Sequence, residues 1–224
     1  MQSKIGCNIG GLFYNILAYA DDIVLLAPSW NALQSLISLL GSCARAINMT
    51  CNVDKTVCMV FNPKCKRMKI ADNFPCFELN DSSLQFVKDF RYLGHIINNS
   101  FSDNDDVKRE IRNFFMRSNI LTRRYSKCSI RVKLVLFKAY CMCLYDAGIW
   151  KHYSVTVFSK LRSCYNKCVK MFFGFDRRHS VTQMLSELSL HSFDIMFSSC
   201  VSSFELRWSA SPNYLIVNLC SLQL

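Results

Sequence analysis

The sequence contains no Cys-x-x-Cys pair among its 13 cysteines, no acidic residue before Asp21, and no apolar run long enough to span a bilayer. The first absence argues against a zinc finger or a thioredoxin-like redox pair. Cys164 and Cys168 are four apart, Cys141 and Cys143 two apart, and His152 and His179 are not at finger spacing. An odd cysteine count without a regular framework fits buried or incidental thiols in a reducing compartment, so the chain reads as intracellular, nuclear or cytoplasmic. The longest apolar stretch is interrupted by Asp21 and Asp22, which argues against a membrane span. The N-terminus lacks the basic and apolar regions of a secretory signal.

What is present is hydrophobic and basic. Hydrophobic residues make up 51% of the 224, which rules out a mainly disordered chain and allows one large domain or two small ones. The net charge is +11, and it is uneven. From Val107 to Arg178 there are 17 Lys and Arg against three acids, Glu110, Asp146 and Asp176. Such a balance suggests a polyanionic partner.

The most informative stretch is Tyr19-Ala20-Asp21-Asp22, set between Leu12–Ala18 and Ile23–Ala27. Both flanks are of strand length and rich in β-branched and aromatic residues, so they predict a hairpin with the two aspartates at its tip. Two adjacent carboxylates in apolar sequence are costly to bury without a cation or donors. Strand alternation sends them in opposite directions, with Asp21 facing inward. An ordinary acidic turn is the plainer alternative.

The flanking sequence predicts further elements. Residues 4–9 form a strand ending at Gly10-Gly11. Leu33, Leu36, Ile37, Leu40, Ala44 and Ile47 mark an amphipathic helix over 30–47. A polar turn with Asn52 and Lys55 precedes a short strand, 57–61, and residues 62–73 read as a solvated basic loop. Asn80-Asp81-Ser82-Ser83 is a second hairpin turn. Residues 90–97, Phe-Arg-Tyr-Leu-Gly-His-Ile-Ile, read as a strand with a glycine inside it, implying a bend or close approach. His95 reads as a surface or packing histidine. Ser102 or Asp103 caps a helix, and Asp103, Asp105 and Asp106 are explained by helix-start chemistry without a metal. Apolar periodicity then gives three basic helices over 107–127, 129–144 and 158–172, two more over 181–190 and 193–208, and an aperiodic tail, 212–224, as an edge strand or an unrelated tail.

The Tyr19-Ala20-Asp21-Asp22 box, with Ile23-Val24-Leu25-Leu26-Ala27 after it, resembles the Tyr-x-Asp-Asp box of reverse transcriptases of the non-LTR, LINE-type retrotransposons. The cover helix, Asn52-x-x-Lys55, the Phe90-x-Tyr92-Leu93-Gly94 segment, and the basic helices including Lys138–Trp150 follow in that family's order. The resemblance implies an α+β chain: a partial polymerase palm of antiparallel hairpins and a cover helix over 1–99, a basic helical thumb over 100–178, and a C-terminal helical extension over 179–224. It implies RNA-directed DNA synthesis with Asp21 as metal ligand, Asp22 supporting it, and two Mg²⁺ ions as the cofactor. Lys55 would lie near the incoming nucleotide's phosphates. Tyr92, Leu93 and Gly94 would hold the primer end. Lys108, Arg112, Arg123, Arg124, Lys127 and Arg131 would grip phosphates. The implied partners are an RNA template, a DNA primer and dNTPs, with no membrane and no small-molecule cofactor. The family places another metal-binding aspartate and a fingers region ahead of the box. Neither is in this sequence, so the expectation is a fragment inactive by itself. A non-enzymatic nucleic-acid binder, whether relic or domesticated, is the alternative, and a decayed, unstable product is a third.

Overall fold

The computed structural model describes residues 5–61 and 74–221, and the expected basic loop over 62–73 lies outside them. The chain is mixed α and β, with small antiparallel hairpins, and divides into two compact units, 1–89 and 90–224. The boundary falls before the 90–97 segment, not at 99. The helices after 179 share the core of the helices before them and do not form a separate extension.

In the first unit, β1 (Cys7–Ile9) and β2 (Leu12–Tyr14) pair antiparallel across Gly10-Gly11. Both glycines have positive φ, the geometry that a two-residue hairpin turn demands. The expected single strand over 12–18 is broken at Asn15, whose Nδ2 donates to Ile5 O at 2.9 Å. Beyond the break, β3 (Ile16–Tyr19) takes a different partner, β4 (Asp22–Leu25). Helix α1 (Trp30–Ala46) is capped by Ser29, whose Oγ accepts from Ala32 N at 3.3 Å. A 3₁₀ turn over Val53–Lys55 leads into β5 (Val57–Cys58), and β6 (Glu78–Leu79) and β7 (Ser82–Ser83) form the second hairpin. Asn80 and Asp81 turn it, both at positive φ as their residue types allow. The strand expected over 57–61 is two residues long and pairs with β8 (Gln85–Phe86) in parallel, an exception to the antiparallel hairpins.

Ile37, Cys58, Phe77, Leu79 and Leu84 form this unit's small core. Each fully buried Phe or Leu contributes roughly 1.5–3 kcal/mol. Helix α1 is docked by polar contacts as well: Gln34 donates to Glu78 O (2.9 Å) and accepts from Glu78 N (3.0 Å), serving the strand edge as a neighbouring strand would. Trp30 Nε1 donates to Pro75 O at 3.0 Å and its ring stacks on Phe77.

The second unit opens with β9 (Asp89–Tyr92) and β10 (His95–Asn98), which pair with each other. The single strand expected over 90–97 is therefore a hairpin, with Leu93 (φ 47°) and Gly94 (φ 90°) as its two-residue reversal. Helices α2 (Asn104–Tyr125), α3 (Ile130–Cys141), α4 (Val155–Phe173), α5 (Val181–Glu187), α6 (Phe193–Ser209) and α7 (Tyr214–Ser221) follow. Two expectations are corrected here. Helix α3 stops at Cys141, so Lys138–Trp150 is not one helix, and much of the supposed tail is α7. The core is aromatic: Phe114, Phe137 and Tyr165 meet with ring centroids 6.1 to 6.3 Å apart, and Tyr165 O–H donates to His191 O at 2.8 Å. Among the described residues no helix is long and apolar enough to cross a membrane.

Candidate functional site

The β3–β4 register sets Tyr19 opposite Asp22, so Ala20 and Asp21 are the two turn residues. Asp22 is the first residue of β4, and both carboxylates are exposed. The hairpin below them is apolar yet open: Tyr19 is 65% exposed, Ile16 50% and Ile23 44%. Ala20 holds φ at 51°, a left-handed conformation that costs an alanine roughly 1–2 kcal/mol. Among the described residues neither aspartate enters an ion pair, and no third carboxylate or imidazole gathers with them; the one such gathering is elsewhere. Asp21 and Asp22 alone are therefore an incomplete set for two metal ions.

Lys55 closes the 3₁₀ turn. Asn52 caps it by accepting from Lys55 N at 3.1 Å, and Thr56 Oγ1 donates to Asn52 O at 2.7 Å. The Asn-x-x-Lys spacing thus has a local structural cause, while the Lys55 side chain is left exposed. Tyr92, Leu93 and Gly94 belong to the other unit, at the β9–β10 reversal, with Leu93 52% exposed at its tip.

Some cations of the second unit are held by partners within the chain and others face outward. Arg109 is turned inward to Asp106 and Asp146, Arg117 to Glu110 and across the Phe114 ring, and Arg162 pairs with Asp194. Lys170 Nζ donates to the carbonyls of Arg177 and His179. In contrast, Arg112, Arg123, Arg124, Lys127 and Arg131 are exposed and enter no ion pair among the described residues. Lys108 pairs with Asp105 at 2.8 Å on the surface, a contact of little energy. Arg112, Met116, Asn119 and Arg123 fall on one face of α2, with Arg112 and Arg123 about 16 Å apart along the axis. Lys127 and Arg131 extend the basic surface through the turn into α3.

Sequence reasoning missed the unit's densest polar cluster. Asp106 is buried completely. It accepts from Ile96 N (2.9 Å), Arg109 Nε (2.6 Å) and Trp150 Nε1 (2.8 Å), and His95 Nδ1 stands 3.0 Å away. The His95–Asp106 contact is an ion pair between a largely buried imidazole and a fully buried carboxylate. Asp146 completes the group through Arg109. His95 is thus an ionic partner, not a surface or packing residue, and Asp106 does far more than start a helix. Asp103 is corrected similarly: its Oδ2 makes no cap and instead accepts from Lys151 N (2.8 Å) and His152 N (2.6 Å). The only foretaste in sequence was that Asp106 and Glu110 border the apolar stripe of α2.

Burial lowers the basicity of His95, but Asp106 and Asp146 outweigh it and push the imidazole up to about 9. Burial likewise works against ionised Asp106, and its contacts with His95, Arg109, Ile96 N and Trp150 overcome this, holding the carboxyl well below the usual range. His95, Asp106 and Asp146 are close enough to share a metal. Yet N–H donors already surround Asp106, and a cation there would have to displace Arg109. The cluster behaves as an internal ion network tying β10, α2 and the 146–150 turn together. The described cysteines are all unpaired, and burial pushes Cys58 up to about 11 and Cys141 up to about 12, leaving both as inert thiols.

Compared with protein-family models, with curated proteins and with solved structures, the chain matches none.

Proposed function

We propose that this chain is a portion of an RNA-directed DNA polymerase of the non-LTR retrotransposon type, part of a palm followed by a basic thumb, and that it holds an RNA–DNA primer–template duplex by its phosphates. The observation that carries this is the reversal at Ala20-Asp21, which puts Tyr19 opposite Asp22 and displays both carboxylates at the tip of an apolar hairpin. A solvated acidic turn explains the aspartates but not the exposed apolar strands beneath them.

In this function Asp21 is a metal ligand and Asp22 supports it. Lys55 faces the phosphates of a dNTP, the Tyr92-Leu93-Gly94 reversal meets the primer, and Arg112, Arg123, Arg124, Lys127 and Arg131 hold the duplex backbone, with Lys108 at its margin. Bound Mg²⁺ would supply charge stabilisation to the attacking and leaving oxygens of phosphoryl transfer. Since two carboxylates do not complete that site, this chain by itself is expected not to polymerise. A primer-extension assay with Mg²⁺ or Mn²⁺ checks this: template-dependent incorporation abolished by Asp21→Ala would contradict it. The wider function is tested by fluorescence anisotropy with a labelled primer–template hybrid at low salt. Binding tolerant of base sequence is expected, and no binding would overturn the proposal.

A non-enzymatic nucleic-acid binder is the second reading, favoured by the absence of a third ligand beside Asp21 and Asp22 among the described residues. The two readings diverge in Mn²⁺-induced NMR line broadening at the hairpin tip. Broadening removed by Asp21→Ala favours the polymerase portion, and none favours the simple binder.

A further inference from the structure

The basic surface contains its own potential off-switch. Arg123-Arg124-Tyr125-Ser126 has two arginines three and two residues ahead of a serine, the pattern that carboxylate-lined, arginine-directed protein kinases select, because each guanidinium fork can be gripped bidentately. Arg123, Arg124, Ser126 and Lys127 are all exposed. Ser126 is the C-cap of α2, still at helical φ and ψ, and the chain turns away there with Cys128 N donating to Tyr125 O at 3.1 Å. Helix α4, by contrast, is closed by Gly174, whose N–H donates to Lys170 O at 3.0 Å. Only residues 126–129 separate α2 from α3, and opening of this exposed helix end gives a kinase the extended segment it needs. The Ser126 hydroxyl has no hydrogen-bond partner among the described residues.

The same spacing recurs once, at Arg177-Arg178-His179-Ser180. There the segment is held: Ser180 Oγ accepts from Gln183 N at 3.5 Å as the cap of α5, and Lys170 Nζ donates to the carbonyls of Arg177 (2.8 Å) and His179. The two sites share a motif and differ in local constraint.

We propose that Ser126 is a phosphorylation site for an arginine-directed Ser/Thr kinase, and that the phosphate disarms the nucleic-acid surface around it. In the reaction the bond from ATP's γ-phosphorus to ADP breaks, a bond from that phosphorus to Ser126 Oγ forms, and the hydroxyl proton leaves to the kinase's base. The product carries roughly −1.5 to −2 charge at neutral pH. It stands among Arg123, Arg124, Lys127 and, at the start of α3, Arg131. Paired internally, about two of these four cations are withdrawn from a bound backbone. The phosphate also lies at the negative end of the α2 dipole, so its neutralisation depends on those side chains. The regulatory half rests on the nucleic-acid function proposed above; the modification itself does not.

The test treats the full chain with ATP and the catalytic subunit of an arginine-directed kinase, maps phosphate by mass spectrometry, and measures hybrid-duplex affinity against salt before and after. The expected result is phosphate on Ser126, absent in Ser126→Ala, with the slope of log K against log salt shallower by about 2 and affinity near physiological salt weakened roughly 10- to 100-fold. Kinase-treated Ser126→Ala is expected to bind as the untreated chain does. No phosphate on Ser126, or phosphate confined to Ser180, overturns the site. Phosphate on Ser126 with an unchanged slope overturns the regulation. If the unmodified chain binds no duplex, the nucleic-acid function itself fails along with its regulation, a result distinct from either because phosphate incorporation is read separately.

Discussion

Asp106 receives N–H donors from a strand, from its own helix and from Trp150, and its removal should be felt across the helical unit. Asp106→Asn keeps the shape but leaves His95 with Asp146 alone and Arg109 with Asp146 and Glu110. The expected loss is about 3–5 kcal/mol, as for breaking a buried ion pair, whereas Asp105→Asn on the surface stays within about 0.5 kcal/mol; urea unfolding compares them. The same cluster sets a pH dependence. The imidazole of His95 is raised above its ordinary 6.5 to about 9, so its stabilisation is complete below pH 6.5 and is lost as pH rises through 9. Asp106 is depressed, so its share is present above pH 3.8 and is lost only on strong acidification. The melting temperature should therefore fall between pH 6.5 and 9.5 in the native chain, and His95→Gln should flatten that fall. None of this was legible in the sequence. Arg109 and Asp146 are 37 residues apart, and no spacing rule joins them to His95.

Elements were legible wherever a local signal fixes the backbone. The helices expected from 30, 181 and 193 begin directly after the side-chain caps Ser29, Ser180 and Ser192, whereas the helix expected from 158 begins at Val155 after Ser154 and ends at Gly174, which has positive φ. Asn80-Asp81 and Gly10-Gly11 turn hairpins with residues that tolerate left-handed backbone. Leu93-Gly94 escaped because leucine is an unusual occupant of φ 47°, and the apolar residues on both sides read as one strand. Lys138–Trp150 escaped because Leu144 continues the periodicity of α3 after its hydrogen bonds have ended at Cys141. The turn that follows the helix packs closely on α6. An added Cβ at Gly148 would stand 2.3 Å from the Phe204 ring. Gly148→Ala is therefore expected to destabilise the helical unit by about 1–3 kcal/mol, seen as a lowered melting temperature. On the candidate site, the hairpin was readable from its two apolar flanks, but Asp21, expected to face inward, is an exposed turn residue beside an exposed Asp22.

Over the whole molecule, a charge of +11 suggests a polyanionic partner without saying which cations would meet it. Folding makes the selection, turning Arg109, Arg117, Arg162 and Lys170 to acids and carbonyls of this chain and leaving Arg112, Arg123, Arg124, Lys127 and Arg131 outward. Sequence counts cannot make that division, because an arginine beside a buried acid and one facing water look alike in composition. The most direct measurement is the affinity of the full chain for an RNA–DNA primer–template hybrid as a function of salt. The five outward cations proposed to hold the backbone are expected to contribute about −4 to −5 to the slope of log K against log salt. Replacing all five by serine should make the slope shallower by about 4 to 5, while Arg162→Ser should leave it unchanged. A native slope near zero, or a five-fold variant that binds with the native slope, would contradict the assignment of this chain as the duplex-holding portion of a polymerase.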